Sequence, residues 1–148
     1  MVVKKIIGIA SIFLPAYSLA GMCSFGSLQE VAFGQYAPNL GTETIRQELI
    51  TARCTQAVKL SISFGPSQVS GTINGRKMRN ISGGSSMLRY HLYRSNCKAP
   101  ELGTGADALT VSVLAGVMTP IYFCAVLPAL QQVDVGNYED YVVLTISP

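Results

Sequence analysis

In AVKLSISF, residues 57–64, every second residue is apolar. Val58, Leu60, Ile62 and Phe64 fall on one side of an extended chain, and Lys59, Ser61 and Ser63 on the other. Period two is the pattern of a strand with one buried face. It recurs in MLRYHLY, where Leu88, Tyr90 and Leu92 oppose Arg89, His91 and Tyr93. LTVSV sets Leu109, Val111 and Val113 against Thr110 and Ser112. The closing run NYEDYVVLTI places Tyr138, Val142, Leu144 and Ile146 on one side. No helical stripe of comparable length occurs. TIRQELITA, 44–52, tolerates a helix by composition, but its place between strand signals and Cys54 favours a strand.

Turn-forming clusters separate these runs: FGPSQ (64–68), INGRK (73–77), SGGSS (82–86), ELGTGAD (101–107) and DVGN (134–137). The expectation is an all-β sandwich of about seven short strands. The chain has no Trp, which excludes the antibody-type Cys–Trp–Cys core.

Residues 1–20 read as a secretory leader. Lys4 and Lys5 supply the charged start and IIGIASIFL the apolar core, with Ser18 and Ala20 small at −3 and −1 of a cut after Ala20. Nine apolar residues are too few to cross a hydrocarbon layer of about 30 Å. The mature unit, 21–148, is expected to be one domain. The leader takes two of the eleven basic residues with it, leaving nine against eight acidic ones. No basic block then remains to argue for nucleic acid. With 13% charged and 49% hydrophobic residues, the chain can bury a core.

Cys23, Cys54, Cys97 and Cys124 are an even count in an exported chain, which points to two disulfides. Sequence order favours 23–54 and 97–124, while the count alone allows three connectivities. Zinc is disfavoured by the absence of a CxxC pair and the presence of a single histidine. LAGMC, 19–23, is similar to a bacterial lipoprotein box, but Met22 stands where that signal needs a small residue. Acylating Cys23 would also strand one of the other three thiols.

Candidate chemistry is sparse. GTGADA, 103–108, matches GxGxxG/A on paper, but it follows CKAPEL rather than a strand and precedes the strand-like LTVSV, so it reads as a loop. His91 lies on the polar face of its run, between Arg89 and Tyr93, and reads as a surface residue. No GxSxG accompanies it. Glu139 and Asp140 are adjacent and so point to opposite faces of a strand, which prevents them acting as a carboxylate pair. Asn80-Ile81-Ser82 is a formal glycosylation sequon between a basic segment and a Gly-rich turn, where chance explains it. No catalytic, cofactor-binding or metal-ligating residue is expected, and no enzyme activity. VMTPIYFCAVLPAL, 117–130, admits two readings. It is a buried central strand with its flanks, or its end, Leu127, Pro128, Ala129 and Leu130, is an exposed apolar loop.

The closing strand carries one more expectation. It ends two residues before Pro148, and an apolar terminal strand left at a sheet edge invites aggregation unless something covers it. A strand from another chain would do so.

Taken together, these elements resemble the spore coat protein U domain family, which includes subunits of archaic chaperone–usher pili. VAFGQYAP (31–38) is similar to the family's Phe-Gly-x-Tyr element at Phe33, Gly34 and Tyr36. GRKMRN (75–80) resembles its Arg-Arg-Met turn through Arg76, Lys77 and Met78. MLRYHLY resembles its Leu-x-Tyr-x-Leu-Tyr strand at Leu88, Tyr90, Leu92 and Tyr93. DVGNYEDYVVLTI resembles its Gly-x-Tyr-x-Asp ending at Gly136, Tyr138 and Asp140. The chain departs from the pattern at Tyr122-Phe123-Cys124, where the family tends to have a Tyr-Gly-Arg-like segment. An extra disulfide between Cys97 and Cys124 is the simplest account of that departure.

The resemblance implies an incomplete immunoglobulin-like β-sandwich completed by a donor strand from another chain. The groove would run beside Tyr138, Val142, Leu144 and Ile146. The implied partners are a periplasmic chaperone, an outer-membrane usher and a neighbouring pilin subunit that donates the strand, with no nucleic acid. The implied location is a surface fimbrium or the extracellular space, reached through the periplasm, and the implied role is adhesion or biofilm formation. A donor segment needs roughly ten residues at about 3.3 Å each. A cut after Ala20 leaves only Gly21 and Met22 before Cys23, which places the subunit at a fibre tip. The alternative is a free-standing secreted or coat protein of the same fold.

Overall fold

A computed structural model describes residues 2–3, 22–26 and 30–148. The expected leader lies outside the described residues apart from the backbone of Val2 and Val3. Among the described residues there are twelve strands: β1 (Val2–Val3), β2 (Cys23–Phe25), β3 (Gly34–Gln35), β4 (Thr44–Cys54), β5 (Val58–Ser67) and β6 (Lys77–Asn80), followed by β7 (Met87–Arg89), β8 (His91–Arg94), β9 (Leu109–Val113), β10 (Thr119–Leu127), β11 (Tyr138–Glu139) and β12 (Val142–Ser147). The only helical element among the described residues is one 3-10 turn at Gly105–Asp107, inside the GTGADA loop.

One sheet has the order β2-β4-β10-β8. Two three-stranded ladders, β12-β5-β9 and β11-β6-β7, complete the sandwich, and β1 pairs with β3. All these pairings are antiparallel. The alternation read from sequence becomes the core. Leu60, Ile62 and Phe64 of β5 and Leu144 of β12 are buried with Ile50 and Ala52 of β4 and Ile121, Phe123 and Ala125 of β10. Phe64 meets Phe123 edge-on with ring centroids 5.3 Å apart, a favoured aromatic geometry. The ambiguous segment 44–52 lies within β4.

Three boundaries differ from the sequence reading. Gly65 and Pro66 form no turn and lie inside β5, which turns only after Ser67, where Ser67 N donates to Thr72 O. Two physical facts allow this. β9 pairs β5 only as far as Ile62, so Pro66 removes no ladder bond on that side. The register with β12 also shifts between Val142 and Leu144, a β-bulge. Gly65 suits that site because a Cβ there would stand 3.0 Å from the Val143 carbonyl oxygen. MLRYHLY divides at Tyr90, with Met87–Arg89 pairing β6 and His91–Arg94 pairing β10. The closing run divides at Asp140, so Tyr138 lies on β11 beside β6 while Val142, Leu144 and Ile146 lie on β12 beside β5.

The disulfides join Cys23 to Cys54 and Cys97 to Cys124. The second ties the 95–100 loop to the central strand β10. We expect Cys97→Ala/Cys124→Ala to lower unfolding free energy by about 3 kcal/mol through loss of loop closure. Denaturant titration under non-reducing conditions, with the same strand-donating partner bound to each variant, measures this.

Candidate strand-acceptor site

β12 is bonded to β5 on one side, and no other described strand pairs with its second side. Its side chains alternate strictly: Val142, Leu144 and Ile146 point into the core, while Val143, Thr145 and Ser147 are exposed. A strand of this kind offers an unpaired row of backbone groups, the edge on which β-augmentation occurs.

The bulge behind β12 is held by one side chain. Arg76 is fully buried, and its guanidinium donates to the carbonyls of Gly65 (2.7 Å), Leu102 (2.9 Å) and Phe64 (3.2 Å). Its Nη1 lies 2.9 Å from Oε2 of Glu101, whose Oε1 is 2.5 Å from Nδ1 of His91. Burial works against the Arg76 charge, and the nearby Tyr90 and Glu101 offset it. The network fixes β5, and therefore the register of β12, from within the core. His91, expected at the surface, is half-buried, stacks on Tyr93 and belongs to this network.

Asp140 is the corner between β11 and β12. Its buried carboxylate accepts from Tyr90 Oη at 2.5 Å and from Val69 N at 3.1 Å. Glu139, one residue earlier, faces outward, as strand alternation requires. Tyr138 sits apart from the groove row. Its hydroxyl donates to Asp134 O (2.6 Å), accepts from Asn80 Nδ2 (3.2 Å) and bonds Ser86 Oγ (2.7 Å). That cluster packs tightly, since a Cβ on Gly136 would come 2.5 Å from the Asn80 amide. The Asn80 side chain is engaged inside the fold rather than presented to solvent.

Burial and the Asp140 carboxylate raise the Tyr90 phenol far above its ordinary value of about 10. Above pH 10 the unfolded chain releases this proton and the folded chain keeps it, so stability falls as pH rises. The hydroxyl's contribution is complete below pH 10. The advantage of the wild type over Tyr90→Phe should shrink by about 1.4 kcal/mol per pH unit above that point. Parallel denaturant titrations at neutral and alkaline pH, with the same strand-donating partner bound, test this.

The apolar run 117–130 resolves into the end of a connecting loop, a strand and a second loop. Leu127 ends β10 fully buried, so it is not part of an exposed loop. Pro128 and Ala129 are half-buried, and Leu130 is 60% exposed. The larger apolar exposure lies at the opposite end, where Leu114, Val117 and Met118 are all exposed on the β9–β10 connection, which crosses from the β12-β5-β9 ladder to the β2-β4-β10-β8 sheet. Gly116 N donates to Cys54 O there, which anchors the connection beside the Cys23–Cys54 bridge. The sequence reading missed this loop, although Gly116 between two strand patterns marks a turn.

Tyr36 Oη donates to Pro128 O (3.1 Å) and accepts from Gln131 N (2.7 Å), pinning the other loop. Among the described residues no group of three His, Cys, Asp or Glu side chains could hold a metal. No described helix is long and apolar enough to cross a membrane.

These features define a disulfide-linked, all-β sandwich whose last strand keeps an unpaired edge among the described residues. The chain belongs to the Spore Coat Protein U domain family, whose model matches residues 11–145. Among solved structures it is similar in fold to a chain of the CsuC–CsuE chaperone–tip adhesion subunit pre-assembly complex from the archaic chaperone–usher Csu pili of Acinetobacter baumannii. The TM-score is 0.58 at 17% identity, covering 85% of this chain and 39% of that one. The chain therefore spans less than half the length of that neighbour. No curated protein matches the chain.

Proposed function

We propose that this chain is a non-catalytic subunit of a chaperone–usher pilus, folded and polymerised by accepting a strand along β12. The observation that carries this reading is the unpaired edge of β12 above Val142, Leu144 and Ile146. Tyr138 and Asp140 set the corner from which that edge begins. A periplasmic chaperone would fill the groove first, and an outer-membrane usher would then exchange it for a neighbouring subunit's strand. The fold likeness to a chaperone–tip subunit complex supports the chaperone step.

Within the fibre we assign this subunit to the tip. A cut after Ala20 leaves two residues before Cys23, which is bound to Cys54 and cannot reach a neighbour's groove. The exposed Leu114, Val117 and Met118 at that same end would meet an apolar surface, which supports a role in adhesion or biofilm formation. Immunogold labelling of whole fibres on cells tests the assignment. Label confined to fibre ends is expected, label along the shaft overturns the tip position, and label absent from every fibre overturns the pilus reading.

A further inference from the structure

The outward face of the β6–β7 ladder carries positive charge that nothing in the fold uses. Lys77 stands directly opposite Arg89, and Arg79 stands opposite Met87 on one side and Glu139 on the other. Like charges placed directly across a ladder destabilise it. Lys77, Arg79 and Arg89 make no ion pair among the described residues. Glu101, which lies near this face, is already committed to Arg76 and His91. Glu139 opposite Arg79 is the one carboxylate on the face itself, at the end away from Arg89.

The charges line a depression with an apolar side. A cleft of about 470 Å³ is bounded by Lys77, Arg89, His91, Met87, Ala129 and Gln131. Met87, half exposed, separates it from a second cleft of about 320 Å³ that includes Arg79 and Tyr141. The outer edge of β7 is closed, because Gln131 accepts from Arg89 N (2.8 Å) and donates to Arg89 O (2.9 Å). Another strand cannot add there, so the cleft is not a second strand-acceptor site.

We propose that this face binds a carboxylated polysaccharide, with sugar carboxylates on Lys77, Arg89 and Arg79 and the apolar faces of the rings on Met87. Arginine pairs with carboxylates in a bidentate fork, and such charge-assisted bonds are the stronger class. A single-stranded nucleic acid would require open aromatic platforms for its bases. In the larger cleft the one ring is His91, already stacked on Tyr93. An unbroken line of cations would suit a polyphosphate, whereas Met87 interrupts this one. The proposal is independent of whether the subunit enters a fibre.

Binding of fluorescent alginate, a polyuronate, to the purified full-length mature protein tests it, with neutral dextran and inorganic polyphosphate as comparison polymers. The expected result is salt-sensitive alginate binding and no dextran binding. Lys77→Gln/Arg89→Gln should bind alginate about tenfold more weakly or worse, while its unfolding midpoint, measured with a strand-donating partner bound, is no lower than that of the wild type. Met87→Ser should weaken alginate several-fold and leave polyphosphate unchanged. The proposal is overturned if the wild type does not bind alginate, if the double variant binds it equally, or if polyphosphate binds as tightly as alginate.

Discussion

Arg76→Ala should cost about 3–5 kcal/mol, the range for removing one partner from a buried ion pair. The guanidinium satisfies three buried carbonyls, of Phe64, Gly65 and Leu102, and it neutralises Glu101. After truncation the carbonyls lose the guanidinium and the Glu101 side chain, 8% exposed, keeps only His91. A whole domain is stable by only about 5–15 kcal/mol, so this single change removes a large share. Arg76→Lys should recover little, because an ammonium cannot reproduce the fork that reaches Gly65, Leu102 and Glu101 together. Exposed Arg79→Ala, three residues along, should change stability by no more than about 0.5 kcal/mol. Denaturant unfolding of the three variants, each with the same strand-donating partner bound, separates these outcomes.

The second large effect concerns the face of β12. Leu144→Asp places a carboxylate in the core, where Leu144 is 2% exposed, and an unpaired charge there costs several kcal/mol. Thr145→Asp, one residue further, places the same carboxylate in solvent. The first variant should lose folding and capture by a periplasmic chaperone together, and the second should retain both. Co-purification with the chaperone, compared between the two, measures the difference. Equal capture of both variants would contradict the assignment of Val142, Leu144 and Ile146 to the groove floor.

Much of this architecture is legible in local sequence. The inward rows of β5, β9 and β12 follow directly from their alternation, and the two cysteine pairs follow sequence order. What local pattern could not reveal is where a chain crosses between ladders. Tyr90 and Asp140 each interrupt an apparently continuous run, and they meet each other 50 residues apart through the phenol–carboxylate bond. The Gly65-Pro66 pair looks like a turn until the bulge opposite Val143 and the Arg76 contacts 11–12 residues away are known. Arg76 itself resembles an ordinary basic residue in a turn, because its partners come from two distant segments, 64–65 and 101–102. The apolar stretch 117–130 misdirected attention to Leu127 for a related reason. Hydrophobicity marks the central strand and the exposed β9–β10 connection alike, and only the pairing of β10 with β4 and β8 tells them apart.

The central claim, that β12 lacks a partner and accepts one, is tested most directly on the purified mature protein. Sedimentation and thermal unfolding should be recorded alone and with a ten-residue peptide of alternating apolar residues. Alone, the chain should self-associate or unfold without cooperativity. At peptide concentrations far above its dissociation constant, the chain should become monomeric and gain about 3–4 kcal/mol by mass action. A protein that is monomeric and cooperatively stable alone, and unchanged by the peptide, would contradict the account.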